Sequence, residues 1–378
     1  MIDNFLVIFI AISIISIMLF YLYKYTHKYV HKYIYKHSEK TNDDDLLIRY
    51  VYRINPDMDT SQPSVNISPA MLSPGIFFKT NDYNNCNLLV FQSMNNIEPD
   101  IKKIQYHKNI KYVYAFRGVD DIANKRVFTR TLGTNGLTQY IPKTWAISDV
   151  EQIKKFLNKS KHNSIILKNN AQQQRGIHIT NTWNDTYQND YLIAQELLQN
   201  PLLVAGHKIN IRIYLMIFIH NKQLNAFYYN DGFIYYAPEK WQTNTTDSKI
   251  NITTGLGDRK LYETNPLTYQ DLKNVLKEDE FETLNQNLNV MMKKIIQIYK
   301  NQLIKLNSAS TNKHIVYAHI LGCDIAPEAD LTVKIMEINK GPDLRYKDNR
   351  DREVKQNLSK DFQNYLVYKN VSNKMIKV

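Results

Sequence analysis

Three oxygen-bearing side chains could do chemistry here. In the run CDIAPEADLTVKIMEINKGPDL, residues 323 to 344, Asp324 stands before a turn over residues 327 to 330, and Glu337 and Asn339 stand after it. The flanking apolar residues read as two buried strands of a hairpin. Glu337 and Asn339 are two apart, so in a strand they share a face. Folding back about the turn brings Asp324 near Glu337. Buried carboxylates are costly unless something positive sits between them. Carboxylate and amide oxygens are the donors that Mg2+ takes, with nucleotide phosphates completing its shell. The pattern therefore suits magnesium held against ATP. Chance acids near a sheet edge are the other reading of the same residues.

Two more stretches carry cations of the right kind. SIILKNNAQQQRGIHIT, residues 164 to 180, reads as strand, polar loop, strand. Lys168 ends the first strand, and the loop carries Arg175 and Gly176. A lysine facing such a loop can hold phosphates. GxxxxGK[ST] is absent, so this is not a P-loop, and an ordinary exposed hairpin fits as well. HKINIRIYLMI, from residue 207, alternates cleanly. Ile209, Ile211 and Ile213 share one face; Lys208, Asn210, Arg212 and Tyr214 share the other. That polar face suits a polyanion, or else simply faces solvent.

The elements that must position these residues follow from the pattern. Short apolar runs between residues 76 and 145 suggest strands of a small α/β domain. DVEQIKKFLNKS has helical spacing with Asp149 as its N-cap. YLIAQEL reads as a buried strand. AFYYNDGFIYYAP reads as a hairpin turning at Asn230, Asp231 and Gly232. Residues 270 to 303 form a long helical stretch, broken near residues 278 to 280, with Met291 and Met292 on its core side.

The first segment is different in kind. Residues 5 to 23 are uncharged and nearly all apolar, and as a helix they span about 28 Å, close to a bilayer core. Lysines then recur every fourth residue from Lys24 to Lys40 beside a tyrosine stripe. This is expected to be an uncleaved transmembrane anchor with a basic juxtamembrane segment, on anionic lipid or as a solvated linker. The expected localisation is a single-pass membrane protein with its bulk in the cytosol. The chain has 378 residues, a net charge of +12, and two cysteines, Cys86 and Cys323. The cysteines exclude a disulfide framework or zinc cluster. The basic balance suits an acidic partner or a membrane. No aromatic-basic recognition motif lies in the folded part, which argues against nucleic acid.

In order, IPKTW, IILKNNAQQQRGI, AQELLQNPLLVAGHKINIRIY and LGCDIAPEADLTVKIMEINKGPDL resemble the motifs of the tubulin–tyrosine ligase-like family of ATP-grasp ligases. The resemblance runs from about residue 122 to residue 344. It implies an α/β fold: an ATP-grasp fold with a small N-terminal α/β domain, behind the expected anchor. The expected division is residues 1–23 anchor, 24–45 juxtamembrane segment, 46–145 N-terminal domain, 146–215 central domain and 216–378 C-terminal domain. It also implies roles. Lys168 and Lys208 would contact the nucleotide, and Arg175 and Gly176 would lie over its phosphates. Gln195, with backbone groups of Glu196 and Leu198, would frame adenine. Arg212 would meet the transferred phosphate, and Asp324, Glu337 and Asn339 would bind Mg2+.

The reaction implied is ligation of a free amino acid to an acidic protein acceptor such as a tubulin tail, through an acyl-phosphate. Four positions depart from the family pattern. Asn210 stands for an aspartate, Tyr235 for an arginine, and Asn251 and Thr254 for the histidine and asparagine of an H-L-T-N run. These departures leave a second expectation open: a nucleotide-binding pseudoenzyme that serves as a membrane-tethered scaffold for an acidic partner.

Overall fold

The alternation of apolar and polar residues from 207 onward makes a strand that is buried on both faces for most of its length. It lies near the middle of the larger of two sheets. The computed structural model describes residues 48–53, 77–79, 86–91, 101, 109–169, 176–253, 259–308, 314–346 and 348–378. Their strands are β1 (Ile48–Arg53), β2 (Phe77–Lys79), β3 (Leu88–Phe91), β4 (Tyr112–Tyr114), β5 (Thr144–Ala146), β6 (Ile165–Lys168) and β7 (Ile177–Thr180). The chain continues through β8 (Ile193–Glu196), β9 (Leu203–Val204), β10 (His207–His220), β11 (Gln223–Lys240), β12 (Val316–Pro327), β13 (Val333–Asn339) and β14 (Met375–Lys377).

Among the described residues the strands form a ten-stranded sheet, in order β14-β11-β10-β12-β4-β3-β1-β2, and a four-stranded sheet, β5-β8-β6-β7. In the larger sheet β13 also pairs with β12, and β9 with β10. The first four strands run parallel to their neighbours, whereas β10 to β13 are antiparallel. The mixed α and β content fits an ATP-grasp arrangement. The domain border expected after residue 215 falls inside β10.

Among the described residues the longer helices are α1 (Lys125–Thr134), α2 (Val150–Lys159), α3 (Glu278–Ser308) and α4 (Asn349–Tyr368). Asn124 caps α1 by accepting from the backbone N–H groups of Arg126 and Val127. Asp348 and Asp351 form a reciprocal capping box at the start of α4. Phe218 of β10 packs on Phe362 and Tyr365 of α4, so α4 covers the far end of the face that bears Arg212. The long helix α3 begins at Glu278 after a short 3-10 turn at Gln270–Asn274, where the break was expected. Met291 and Met292 are in the core.

Two expectations need correction. Asn230, Asp231 and Gly232 do not make a hairpin turn; they lie inside β11. The chain turns instead at Asn221 and Lys222, both with positive φ (47° and 61°), as a two-residue hairpin requires. At Asn230 to Gly232 the strand bulges, with the register slipping opposite Tyr214. Gly232 is needed there because a Cβ would lie 1.9 Å from the carbonyl oxygen of Arg212. An NDG run is a strong local turn signal, but pairing on both sides of β11 overrides it.

The single-pass localisation is likewise corrected. Among the described residues no helix is long and apolar enough to cross a membrane. The segment at 5 to 23 that suggested an anchor, and the basic stripe after it, lie outside the described residues, so the structure gives that placement no support.

Candidate active site

One row of side chains crosses four strands. Tyr235 of β11 is in register with Asn210 of β10, Arg212 of β10 with Asp324 of β12, and Asp324 with Glu337 of β13. Side chains on one face alternate, so Lys208, Asn210 and Arg212 point the same way. A register irregularity between Asp324 and Ile325 keeps Asp324 beside Glu337 while the rest of the hairpin shifts.

Arg212 forks onto Asp324, with Nε 2.5 Å from Oδ1 and Nη2 2.9 Å from Oδ2. Its guanidinium lies 5.3 Å from the centre of the Tyr235 ring. Gly322 leaves room for it: a Cβ there would come within 3.2 Å of Nη1. The arginine is therefore held between a carboxylate and an aromatic face, both on neighbouring strands.

The two acids are pushed in opposite directions. Burial raises the Asp324 carboxyl; Arg212 opposes this, and Glu337 pushes it up again. Burial acts the same way on Glu337, but Lys125 and Lys168 outweigh it and bring it down to about 2. Lys125 Nζ sits 2.9 Å from Glu337 Oε2. Asn339 Nδ2 lies 3.2 Å from Asp324 Oδ2 and 3.1 Å from Glu337 Oε1. A donor thus stands between two carboxylates. Turning that amide over places its oxygen there instead and leaves three oxygen-bearing side chains converging. No group of three His, Cys, Asp or Glu side chains suited to a metal occurs among the described residues. The set is two carboxylates and an amide, which suits a hard divalent cation whose shell is completed by phosphate oxygens.

The four-stranded sheet supplies the opposite wall. One face, with Trp145, Ile165, Leu167 and Ala194, packs on Ile153 and Leu157 of α2. The other face carries Ile166, Lys168 and Gln195. Lys168 Nζ donates to Gln195 Oε1 at 2.6 Å, and Gln195 Nε2 donates to Thr144 Oγ1 at 3.1 Å. Burial pulls Lys168 down to about 8, against the pull of Glu337 and Asp324. Burial also pulls Lys208 down to about 8, and the Lys168 charge adds to this. Two buried ammonium groups from two sheets therefore face one space, and the charge of one lowers the other, as at a site for a polyanion. Lys208 also lies 5.6 Å from the Trp241 ring centre.

The remaining expected residues divide. Gly176, at φ 73°, follows the loop, and a Cβ there would meet the Asn169 amide at 2.1 Å. Glu196 closes β8, donating its backbone N–H to the Lys143 carbonyl and accepting from Lys143 N–H through Oε2. Leu198 is buried just beyond. Arg175 and Thr254 lie outside the described residues. Asn251 ends the short helix Ser248–Asn251 and donates to the Thr245 and Asp247 carbonyls. Sequence reasoning missed Lys125. Its only local signal is the Asn124 cap that starts α1, and nothing in that stretch says which strand the helix end will meet.

A family model described as the tubulin-tyrosine ligase family matches residues 101–375. The chain is 20% identical over 289 residues to tubulin polyglutamylase ttll6 of Danio rerio, which covers 69% of this chain and 36% of that protein. It is 24% identical over 315 residues to tubulin polyglutamylase TTLL7 of Mus musculus, covering 74% and 34%. A probable beta-tubulin polyglutamylase of Tetrahymena thermophila matches at 23% over 303 residues, covering 72% and 25%. The chain thus spans between a quarter and about a third of the length of these relatives.

Proposed function

Because the chain belongs to the tubulin-tyrosine ligase family, we propose that it is an ATP-dependent ligase that joins a free amino acid to an acidic protein acceptor, of the kind its polyglutamylase relatives modify. The observation that carries this reading is the row Arg212, Asp324, Glu337 and Asn339, set opposite Lys168 and Lys208. An acceptor carboxylate takes the terminal phosphoryl group of ATP and becomes an acyl-phosphate, releasing ADP. The amine of the donor amino acid then attacks the acyl carbon, inorganic phosphate leaves and an amide forms. Lys168 and Lys208 hold phosphates, Gln195 borders the base, and Arg212 offers its guanidinium to the phosphoryl group in transfer. Asp324, Glu337 and Asn339 would hold Mg2+, which when bound neutralises charge that builds on the phosphate oxygens. Positioning and charge neutralisation account for most of the work in such a transfer. A net charge of +12 favours approach to an acidic surface such as a tubulin tail.

A second reading is a nucleotide-binding scaffold without turnover. Asn210 and Tyr235 favour it, since neither supplies a charge beside Arg212. One assay separates the two: ADP release from magnesium ATP, with the full chain, tubulin and a panel of amino acids. Acceptor-dependent ADP formation that Glu337→Gln abolishes supports the ligase. Nucleotide binding with no ADP formed on any acceptor overturns it in favour of the scaffold.

A further inference from the structure

The corner beyond Arg212 is the side of the row that the carboxylates and lysines leave open to a donor. The carboxylates and Lys125 fill one side of the guanidinium, and Lys168 and Lys208 face the phosphates. Across β10 the row continues to Asn210 and, in register with it, Tyr235 of β11. Asn210 Oδ1 is shielded from solvent and has no hydrogen-bond partner among the described residues. The Tyr235 ring lies against Arg212.

The charge around this corner is already spoken for. Arg212 forks onto Asp324, and Lys125 is bound to Glu337. Arg345 forks onto Asp343, with Nε and Nη2 both at 2.9 Å. Burial raises the Tyr235 hydroxyl; Arg212 works against this, while the carboxylates of Asp324, Asp343 and Asp351 push the same way as burial. Lys355 lies 3.9 Å from Asp351, so each of these three acids already has its own cation, and a substrate group placed here meets no unmatched positive charge.

Every amino acid brings one carboxylate on its α-carbon, so that group does not distinguish one donor from another. A second carboxylate on the side chain would enter a half-buried corner with no cation left for it, at a cost that neutral side chains escape. A neutral side chain can rest on the Tyr235 ring instead. The Asn210 oxygen can accept from the donor's amine and aim its lone pair at the acyl carbon.

We propose, on the basis of the ligase reading above, that the donor amino acid has no carboxylate in its side chain, and that Asn210 and Tyr235 set this selectivity. The reaction then adds an uncharged residue to the acceptor, although the named relatives are polyglutamylases.

The test is calorimetry on the full chain loaded with magnesium and a non-hydrolysable ATP analogue, titrated with glycine, alanine, glutamine, tyrosine, aspartate and glutamate. The tightest donor is expected to be neutral, with glutamate and aspartate at least about tenfold weaker, the size of one unmatched charge. Tyr235→Arg adds a cation at this corner and should shift the ratio of glutamate to neutral affinity about tenfold toward glutamate. Retained binding of the loaded nucleotide shows that the variant is folded. Glutamate binding as tightly as the best neutral amino acid overturns the proposal, and so does a loaded protein that binds no amino acid. Tight glutamate binding leaves the ligase reading intact, and that reading is judged separately, by acceptor-dependent ADP release.

Discussion

Above pH 8 the protein should lose its hold on magnesium nucleotide. Lys168 and Lys208 ordinarily titrate near 10.5, and burial brings each to about 8. A phosphate ligand needs both charged. A group of pKa 8 is almost fully charged at pH 7 and about one-tenth charged at pH 9, so each lysine weakens binding about tenfold over that span, and the pair about a hundredfold. The ligand's own charge is nearly constant there, since the last phosphate ionisation lies near pH 6 and is about nine-tenths complete at pH 7. Stability moves in the opposite direction. Between pH 8 and 10.5 the unfolded chain binds more protons than the native one, so the nucleotide-free protein gains stability as pH rises through that window. Binding at pH 8.5 should therefore take up about one and a half protons. Calorimetry in two buffers of different ionisation enthalpy reads that uptake directly. Replacing Lys168 with Met should cut the loss between pH 7 and 9 to about tenfold or less, because Lys208 is then also relieved of the Lys168 charge that lowers it. Equal affinity at both pH values, with no proton uptake, would refute the claim that two buried ammonium groups form the phosphate site.

Two further substitutions probe the scaffold of the site. Lys125→Ala removes the ion pair on Glu337 and should tighten Mn2+ or Mg2+ binding to the nucleotide-free protein by a few-fold, because a competing cation is gone; weaker metal binding in calorimetry would show that Lys125 helps to build the site instead. Gly232→Ala forces a Cβ against the Arg212 carbonyl oxygen and should destabilise the fold by about 2–4 kcal/mol, read as a lower thermal midpoint; an unchanged midpoint would mean that the β11 bulge is not held as described.

Much of this site was legible because it is made of short-range patterns. The period-two alternation of residues 207 to 214 placed Lys208, Asn210 and Arg212 on one face, and the acids of the hairpin at 316 to 339 meet in register as their spacing suggests. What escaped was long-range. Lys125 reaches Glu337 across more than two hundred residues, through a helix end that local sequence can start but not aim. The bulge at Asp231 and Gly232 was read as a turn because the dipeptide suits one. In the folded chain Asp231 is buried against Lys374, just before the last strand, and that contact helps to keep β11 continuous. The strands of the described residues compete for partners only once their two sheets exist, so edge and centre cannot be told apart from the local pattern.

On the ligase reading, the charges at the site would favour one form of nucleotide over another. Asp324 and Glu337 are matched by Arg212 and Lys125, a sum of zero. Lys168 and Lys208 remain, each with no carboxylate within ion-pair distance among the described residues, and they add two positive charges in a space that burial makes hostile to both. Free ATP carries about four negative charges near neutral pH, and its magnesium complex about two. On the ligase reading the complex would balance the site, whereas free ATP would leave two negative charges uncompensated in a partly desolvated cleft. The same count explains why two carboxylates stand among so many cations. Without them the cleft would bind free ATP well and leave no seat for the ion, and the phosphoryl group would have less charge neutralisation in transfer.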